Sequence, residues 1–193
     1  MIVTILQTAT SRKSTRKYKK DPVSEDDIRY LLDTIRQSPS GSNTQPWRVI
    51  VIEDPEIKMR VRKAAEEGEK TFYESISPVR KKRYTDKGLN PSKPMLTEAP
   101  VLIVILGDTT APNYKPSVWI SVGYAILAAE EKDLSTVTYT PSDPVLVTKT
   151  LGVPEPYLVE TILPLGYSDD PKTKEPRKSV ETFTYRTIWG NRI

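Results

Sequence analysis

Between Val101 and Leu106 the chain runs Val-Leu-Ile-Val-Ile-Leu with no polar interruption. A strand of such residues has no face to offer water, so it requires apolar cover on both sides, as at the centre of a sheet between helical layers. The stretch Ser117 to Lys132 reads as an apolar helix. Its Val118, Ile120, Val122, Ala125, Ile126 and Ala129 spread over more than one face, which predicts burial against the sheet and against a second copy of the chain. Thr4 to Ala9 is expected to form a short helix. Ser24 reads as the N-cap of another, in which Ile28, Leu31, Leu32 and Ile35 recur at helical spacing until Pro39 ends it. Val49 to Ile52 reads as a buried strand, followed by a charged helix from about Pro55 to about Gly68. Leu134 to Tyr139 and Leu158 to Leu165 add two strands around a short helix from Asp143 to Thr150. Tyr73 to Pro94 mixes Pro, Lys, Arg and aromatics without clear periodicity and reads as a mobile or lid-like region. This order predicts an α+β fold with a central, mainly antiparallel sheet surrounded by helices.

At 193 residues one domain spanning 1–193 is expected. The chain carries 29 Lys and Arg against 25 Asp and Glu, a net charge of +4, but the signs are interleaved, which argues against a nucleic-acid partner. No apolar run is long enough to span a membrane, and Met1 to Leu6 lacks the basic start and apolar core of a secretory signal. A cytoplasmic protein is the resulting expectation. With no Cys and no His, disulfides, thiolate nucleophiles, imidazole bases and the usual zinc sites are excluded, and no metal site is expected. An enzyme of this composition needs a cofactor to carry the reaction.

Two polar clusters suggest what that cofactor is. Arg12-Lys13-Ser14-Thr15-Arg16 packs three cations and two hydroxyls into five residues, suited to gripping a phosphate. Pro39-Ser40-Gly41-Ser42-Asn43-Thr44-Gln45-Pro46-Trp47 gathers turn-forming and hydrogen-bonding residues where a helix stops. Together they point to an anionic, ring-bearing ligand. A helix-terminating turn would explain Pro39, Ser40 and Gly41, but not Asn43 and Gln45 followed by Pro46-Trp47. Trp47, at a strand start, reads as a core anchor rather than a ligand contact.

This pair of motifs resembles the nitroreductase family of FMN-dependent oxidoreductases, as do Pro22-Val23, Leu151-Gly152-Val153-Pro154-Glu155, Leu165-Gly166-Tyr167 and Glu175-Pro176-Arg177-Lys178. The likeness covers most of the chain and is weakest between about residues 65 and 97. It implies a nitroreductase-like fold in which Arg12, Ser14 and Arg16 hold the ribityl phosphate and pyrimidine edge of FMN, Lys13 adds charge or a ring contact, and Arg177 meets the phosphate from the other side. Pro39, Ser40, Ser42, Asn43 and Gln45 would lie along the isoalloxazine in the half-site of a neighbouring subunit. Asn90 and Lys93 correspond to an Asn and a Lys that meet the ring edge in the family, although a solvated loop accounts for them as well. Where family members carry glycine-rich amide donors, this chain has Asp133-Leu134-Ser135 and Thr140-Pro141. Pro141 has no N–H to donate, which leaves the amide of Thr140 for the flavin N5 and some other group, such as Ser142, for O4.

The resemblance further implies a homodimer, with the 182–193 tail wrapping the partner subunit, since Phe183, Tyr185, Ile188 and Trp189 are too apolar for a free tail. NADH or NADPH would reduce the flavin, and a small nitroaromatic or quinone would then take the electrons in a ping-pong cycle. No side chain need act as a catalytic acid or base. Reductive dehalogenation or flavin breakdown on the same fold, and a non-enzymatic FMN carrier, are the alternatives.

Overall fold

The computed structural model describes residues 4–193, so the first three residues of the Met1 to Leu6 segment lie outside the described residues. Its frame is a four-stranded antiparallel sheet formed by β1 (Trp47–Ile52), β2 (Val101–Asp108), β3 (Ser135–Thr136) and β4 (Tyr157–Gly166), in the order β1-β2-β4-β3. The apolar run lies in β2, where the alternation of side chains divides it between two cores. Val101, Ile103 and Ile105 pack with helices α2 (Glu25–Arg36) and α6 (Tyr114–Glu131) on one face. Leu102, Val104 and Leu106 pack on the other with α3 (Pro55–Ser75), α5 (Met95–Glu98) and α7 (Pro144–Thr150). Each of these six side chains is at most 1% exposed, so burying them contributes on the order of 1.5–3 kcal/mol apiece before entropy is subtracted.

Helix starts follow the expected chemistry. Thr4 caps α1 (Ile5–Ser11) in a capping box with Gln7, Ser24 caps α2, and Asp54 caps α3 with Pro55 in its first turn. Lys58 of α3 lies buried, with its ammonium donating to the Ala99 and Pro100 carbonyls at 2.9 Å each, and burial lowers its pKa. It thus anchors the short α5 to the long α3.

Several expectations need correction. Val49 to Ile52 belongs to β1, an edge strand; Val49, Ile50 and Val51 are half-buried, and Ile52 alone of the four is buried. The strand expected at Leu134 to Tyr139 shrinks to two paired residues and an isolated bridge of Tyr139 to Ile162, because the chain leaves the sheet between them. α2 ends at Arg36, ahead of Pro39. α3 does not stop near Gly68 but continues to Ser75. The aperiodic Tyr73 to Pro94 region holds the end of α3 and a further helix, α4 (Pro78–Asp86), none of whose residues is buried. α4 lacked an apolar stripe in the sequence because it has no core to face.

Gly68 reads as a helix breaker in sequence, yet it sits inside α3 for want of space. A Cβ there would stand 2.8 Å from Asp143 Cβ and 3.0 Å from Asp143 N, and Asp143 caps α7 through the Val145 and Leu146 amides. Alanine would gain about 1 kcal/mol of helix propensity over glycine in open space. Overpacking against a residue fixed as the cap of α7 costs about 1–3 kcal/mol, so the clash wins. Gly68→Ala is therefore expected to lower the urea midpoint; a rise would mean that α3 and α7 separate freely.

Candidate functional site

The basic cluster begins at the end of α1, where Arg12 is the C-cap residue. From there the chain runs along β3: Ser14 bridges Thr136 in parallel, and the Thr15 N–H donates to the Thr136 carbonyl at 3.1 Å. Thr15 is fully buried, while its neighbours Ser14 and Arg16 line a pocket of about 200 Å³. The rest of that pocket comes from Lys13 and the 172–177 segment, including Lys172, Lys174 and Arg177. Four of the expected residues, Lys13, Ser14, Arg16 and Arg177, thus meet from opposite ends of the chain. Arg12 lines neither this pocket nor the cleft described below, but its Nη1 donates to Ser14 Oγ at 3.4 Å.

Asp170 builds this corner. Its Oδ2 accepts from the Arg16 N–H at 2.9 Å and its Oδ1 from the Lys172 N–H at 3.0 Å, so Asp170 holds the backbone of Arg16, and the Arg16 residue lines the pocket. Burial alone would raise the Asp170 pKa; these two amides and the nearby Lys13 and Arg16 charges outweigh it and hold the carboxyl below its usual range. Lys13 was expected to give charge or a ring contact. Its ammonium is instead spent on the backbone, donating to the carbonyls of Asp170 at 2.5 Å and Lys172 at 2.8 Å, so it braces the pocket wall. Lys174 does the same at the end of α1 through the Ala9 and Thr10 carbonyls.

Arg16 also lines a neighbouring cleft of about 410 Å³ that contains Asn90, Lys93 and Thr140. At its centre the Lys93 ammonium pairs with Glu69 Oε2 at 3.2 Å, with both side chains largely shielded from water. Glu69 Oε1 accepts from the Tyr139 hydroxyl at 3.0 Å and the Ser142 hydroxyl at 2.9 Å, and Lys93 also donates to the Asn90 carbonyl. Burial, then the adjacent Glu69 charge, raise the pKa of both Tyr139 and Tyr73, so both phenols stay neutral. Phe72, Tyr73 and Tyr84 form an aromatic wall with ring centroids 5.7–6.1 Å apart. Lys93 was expected to reach a ring edge; the structure gives its ammonium to Glu69.

Thr140 is exposed and lines the cleft, while Pro141 is buried and does not. The 39–45 loop lines neither the pocket nor the cleft. It leans on the start of α6, where the Gly41 N–H donates to Ser117 Oγ at 3.1 Å. Ser42, Asn43 and Gln45 all have positive φ, of 50°, 54° and 45°, backbone that L residues seldom adopt. Gln45 is held by its N–H to Ser40 Oγ at 3.0 Å and by its side-chain amide to Asn43 Oδ1 at 3.1 Å, so the loop is a rigid, outward-facing platform.

The sequence matches the profile of the Nitroreductase family over residues 9–167. The chain belongs to that family. An iodotyrosine deiodinase of Thermotoga neapolitana is 42% identical over 172 residues, covering 89% of this chain and 92% of that protein. A crystal structure of oxidized iodotyrosine deiodinase bound to FMN and 3-iodo-L-tyrosine aligns with a TM-score of 0.89 at 40% identity, covering 96% of this chain and all of the other. An FMN-dependent nitroreductase of Clostridium difficile, at 22% identity and a TM-score of 0.75, shares the nitroreductase fold. The α+β architecture read from the order of elements is the architecture of this nitroreductase.

Sequence reasoning missed Glu69, Phe72, Tyr73 and Tyr84. The signal was available: on a helix that continues past Gly68, Glu69 and Tyr73 are four residues apart and share a face. Ending α3 at the glycine hid it. Replacing Lys93 by Met leaves Glu69 buried with only its two hydroxyl donors, a loss of about 2 kcal/mol. The expected result is a lower urea midpoint for Lys93→Met and partial recovery in Lys93→Met/Glu69→Gln, where no unpaired charge remains.

Proposed function

We propose that this chain is an FMN-dependent reductive dehalogenase of halogenated tyrosines, acting as a homodimer. The observation that carries this reading is the Glu69–Lys93 pair, sunk beside the aromatic wall of Phe72, Tyr73 and Tyr84. An adjacent carboxylate and ammonium meet the ammonium and carboxylate of a free amino acid, and the wall suits its ring. A nitroaromatic or quinone would make no use of that pair. The similarity to iodotyrosine deiodinases points the same way.

The basic pocket suits the phosphate end of a flavin mononucleotide: Arg16, Arg177 and Ser14 line it together, braced by lysines that are tied to backbone carbonyls. Arg16, with Arg177 opposite, would hold the phosphate, and Arg16 also borders the cleft, so it would link phosphate and ring. When bound, FMN supplies the two-electron chemistry by which a carbon–halogen bond is replaced by carbon–hydrogen with release of halide, taking its electrons from NADH or NADPH. Thr140 lines the cleft, and its amide would be offered to the flavin. Ser40, Ser42, Asn43 and Gln45 would serve the partner's site from their outward platform. Glu69 and Lys93 would fix the amino acid, which orients its ring and excludes water from the reacting face.

A colourless protein that ignores added FMN would refute the cofactor. With FMN and dithionite or NAD(P)H as reductant, 3-iodo-L-tyrosine is expected to yield iodide and tyrosine. Turnover of nitroaromatics or quinones with no halotyrosine binding would favour the general oxidoreductase of the wider family.

The dimer rests on apolar surface. Trp119, Ile120 and Tyr124 of α6 stand 36–43% exposed, and Phe183, Ile188 and Trp189 of the tail 63–84%. An obligate interface of this kind buries more than about 2,000 Å². Truncation after Glu181 is expected to weaken the dimer in sedimentation and release FMN, although Arg177 is retained. A monomer that keeps FMN at full affinity would overturn the shared site.

A further inference from the structure

Lys93 lies on a loop, outside any regular element, between α4, none of whose residues is buried, and the short α5. A lysine on such a segment has many places to put its ammonium, yet here it meets Glu69 in the cleft. What holds it there is a second carboxylate on α3, one turn before Glu69. Glu66 Oε1 accepts the Lys93 backbone N–H at 2.7 Å, Arg62 Nε at 2.8 Å and Ser92 Oγ at 3.3 Å. Arg62 extends the contact to the far side of the loop, donating from Nη1 to Thr97 Oγ1 at 2.9 Å and from Nη2 to Ser92 Oγ at 3.5 Å. Glu66 and Arg62 are about four-fifths and three-quarters shielded from water, respectively, so this is not an exposed surface pair. Three donors converge on one carboxylate oxygen, an arrangement that favours the ionised form; burial opposes that charge, and the donors outweigh it to lower the Glu66 pKa.

We infer that Glu66, held by Arg62, is a positioning residue that clamps the Ser92–Lys93 backbone to α3 and thereby sets the Lys93 ammonium opposite Glu69, giving the cleft its selectivity for free amino acids. Neither Glu66 nor Arg62 lines the cleft. Their effect passes through the backbone of Lys93. Because Glu66 and Glu69 both project from α3 three residues apart, one rigid helix sets the anchor of the loop and the partner of its ammonium.

The inference rests on the amino-acid reading of the cleft, and the test separates the two. The FMN-loaded wild type, Glu66→Ala, Glu66→Gln and Lys93→Met are titrated with 3-iodo-L-tyrosine and with 2-iodophenol, which keeps the halogenated ring but lacks the zwitterion; binding is read by quenching of flavin fluorescence. In the wild type the amino acid should bind far more tightly than the phenol. Glu66→Ala should weaken 3-iodo-L-tyrosine by about tenfold or more, the usual worth of hydrogen bonds to a charged group, and leave the 2-iodophenol affinity and the bound flavin unchanged. Glu66→Gln, whose amide oxygen still accepts the Lys93 N–H, should fall between Glu66→Ala and wild type. Lys93→Met should show the same selective loss as Glu66→Ala. A wild type that does not prefer the amino acid overturns the reading of the cleft. If the preference exists and Glu66→Ala keeps it, or if both ligands weaken equally, the positioning role of Glu66 is overturned.

Discussion

Everything in this fold hangs on the burial of β2 from both sides. Because its alternate side chains enter two separate cores, helices must stack on each face of a narrow sheet, and the connections must cross the sheet's ends. The segments that bear chemistry lie where those connections run: the 12–16 segment along β3, the stretch at Thr140 between β3 and α7, and the loop between α4 and α5 that carries Lys93. A polar group in either core would be costly to bury, so the charged residues of the candidate site sit on these connecting segments and on α3 rather than on β2.

On these segments the electrostatics are graded by burial. Asp170 and the lysines around it spend their hydrogen bonds on backbone, which makes the basic pocket stiff without filling it. The Glu69–Lys93 pair is more deeply placed and is satisfied by two hydroxyls and a carbonyl as well as by its own contact. Such a pair gains little net stability over an apolar substitute, since desolvating two ions offsets their attraction. Its presence in a cleft is therefore explained by recognition better than by stability.

The order of elements was legible because it follows from apolar periodicity and capping: β2 from its unbroken run, α2 from Ser24 and its repeating Ile and Leu, α7 from Asp143 and Pro144. The basic cluster and Arg177 could be named from composition and resemblance, although nothing local in the sequence says that Lys13 would turn its ammonium onto the 170–172 backbone. The failures have a common cause. Gly68 is a packing residue that looks like a stop, α4 is a helix without a buried face, and β1 is an edge strand whose composition matches an interior one. In each case tertiary contact decides between two local readings, and sequence periodicity reports only the local one.

Tyr139 joins two parts of the molecule that are otherwise separate. Its backbone exchanges hydrogen bonds with Ile162 at 2.8 and 3.0 Å, in the middle of β4, while its hydroxyl grips Glu69. The carboxylate side of the cleft is thus bolted to the sheet, and the ammonium side rides on a loop next to an exposed helix. The cleft resembles a vice with both jaws fastened: Tyr139 ties the acidic jaw to the sheet, and Glu66 ties the basic jaw to α3. Whatever enters it must part a pair whose two halves are each already held, so capture exchanges one set of satisfied charges for another and orders little that was free.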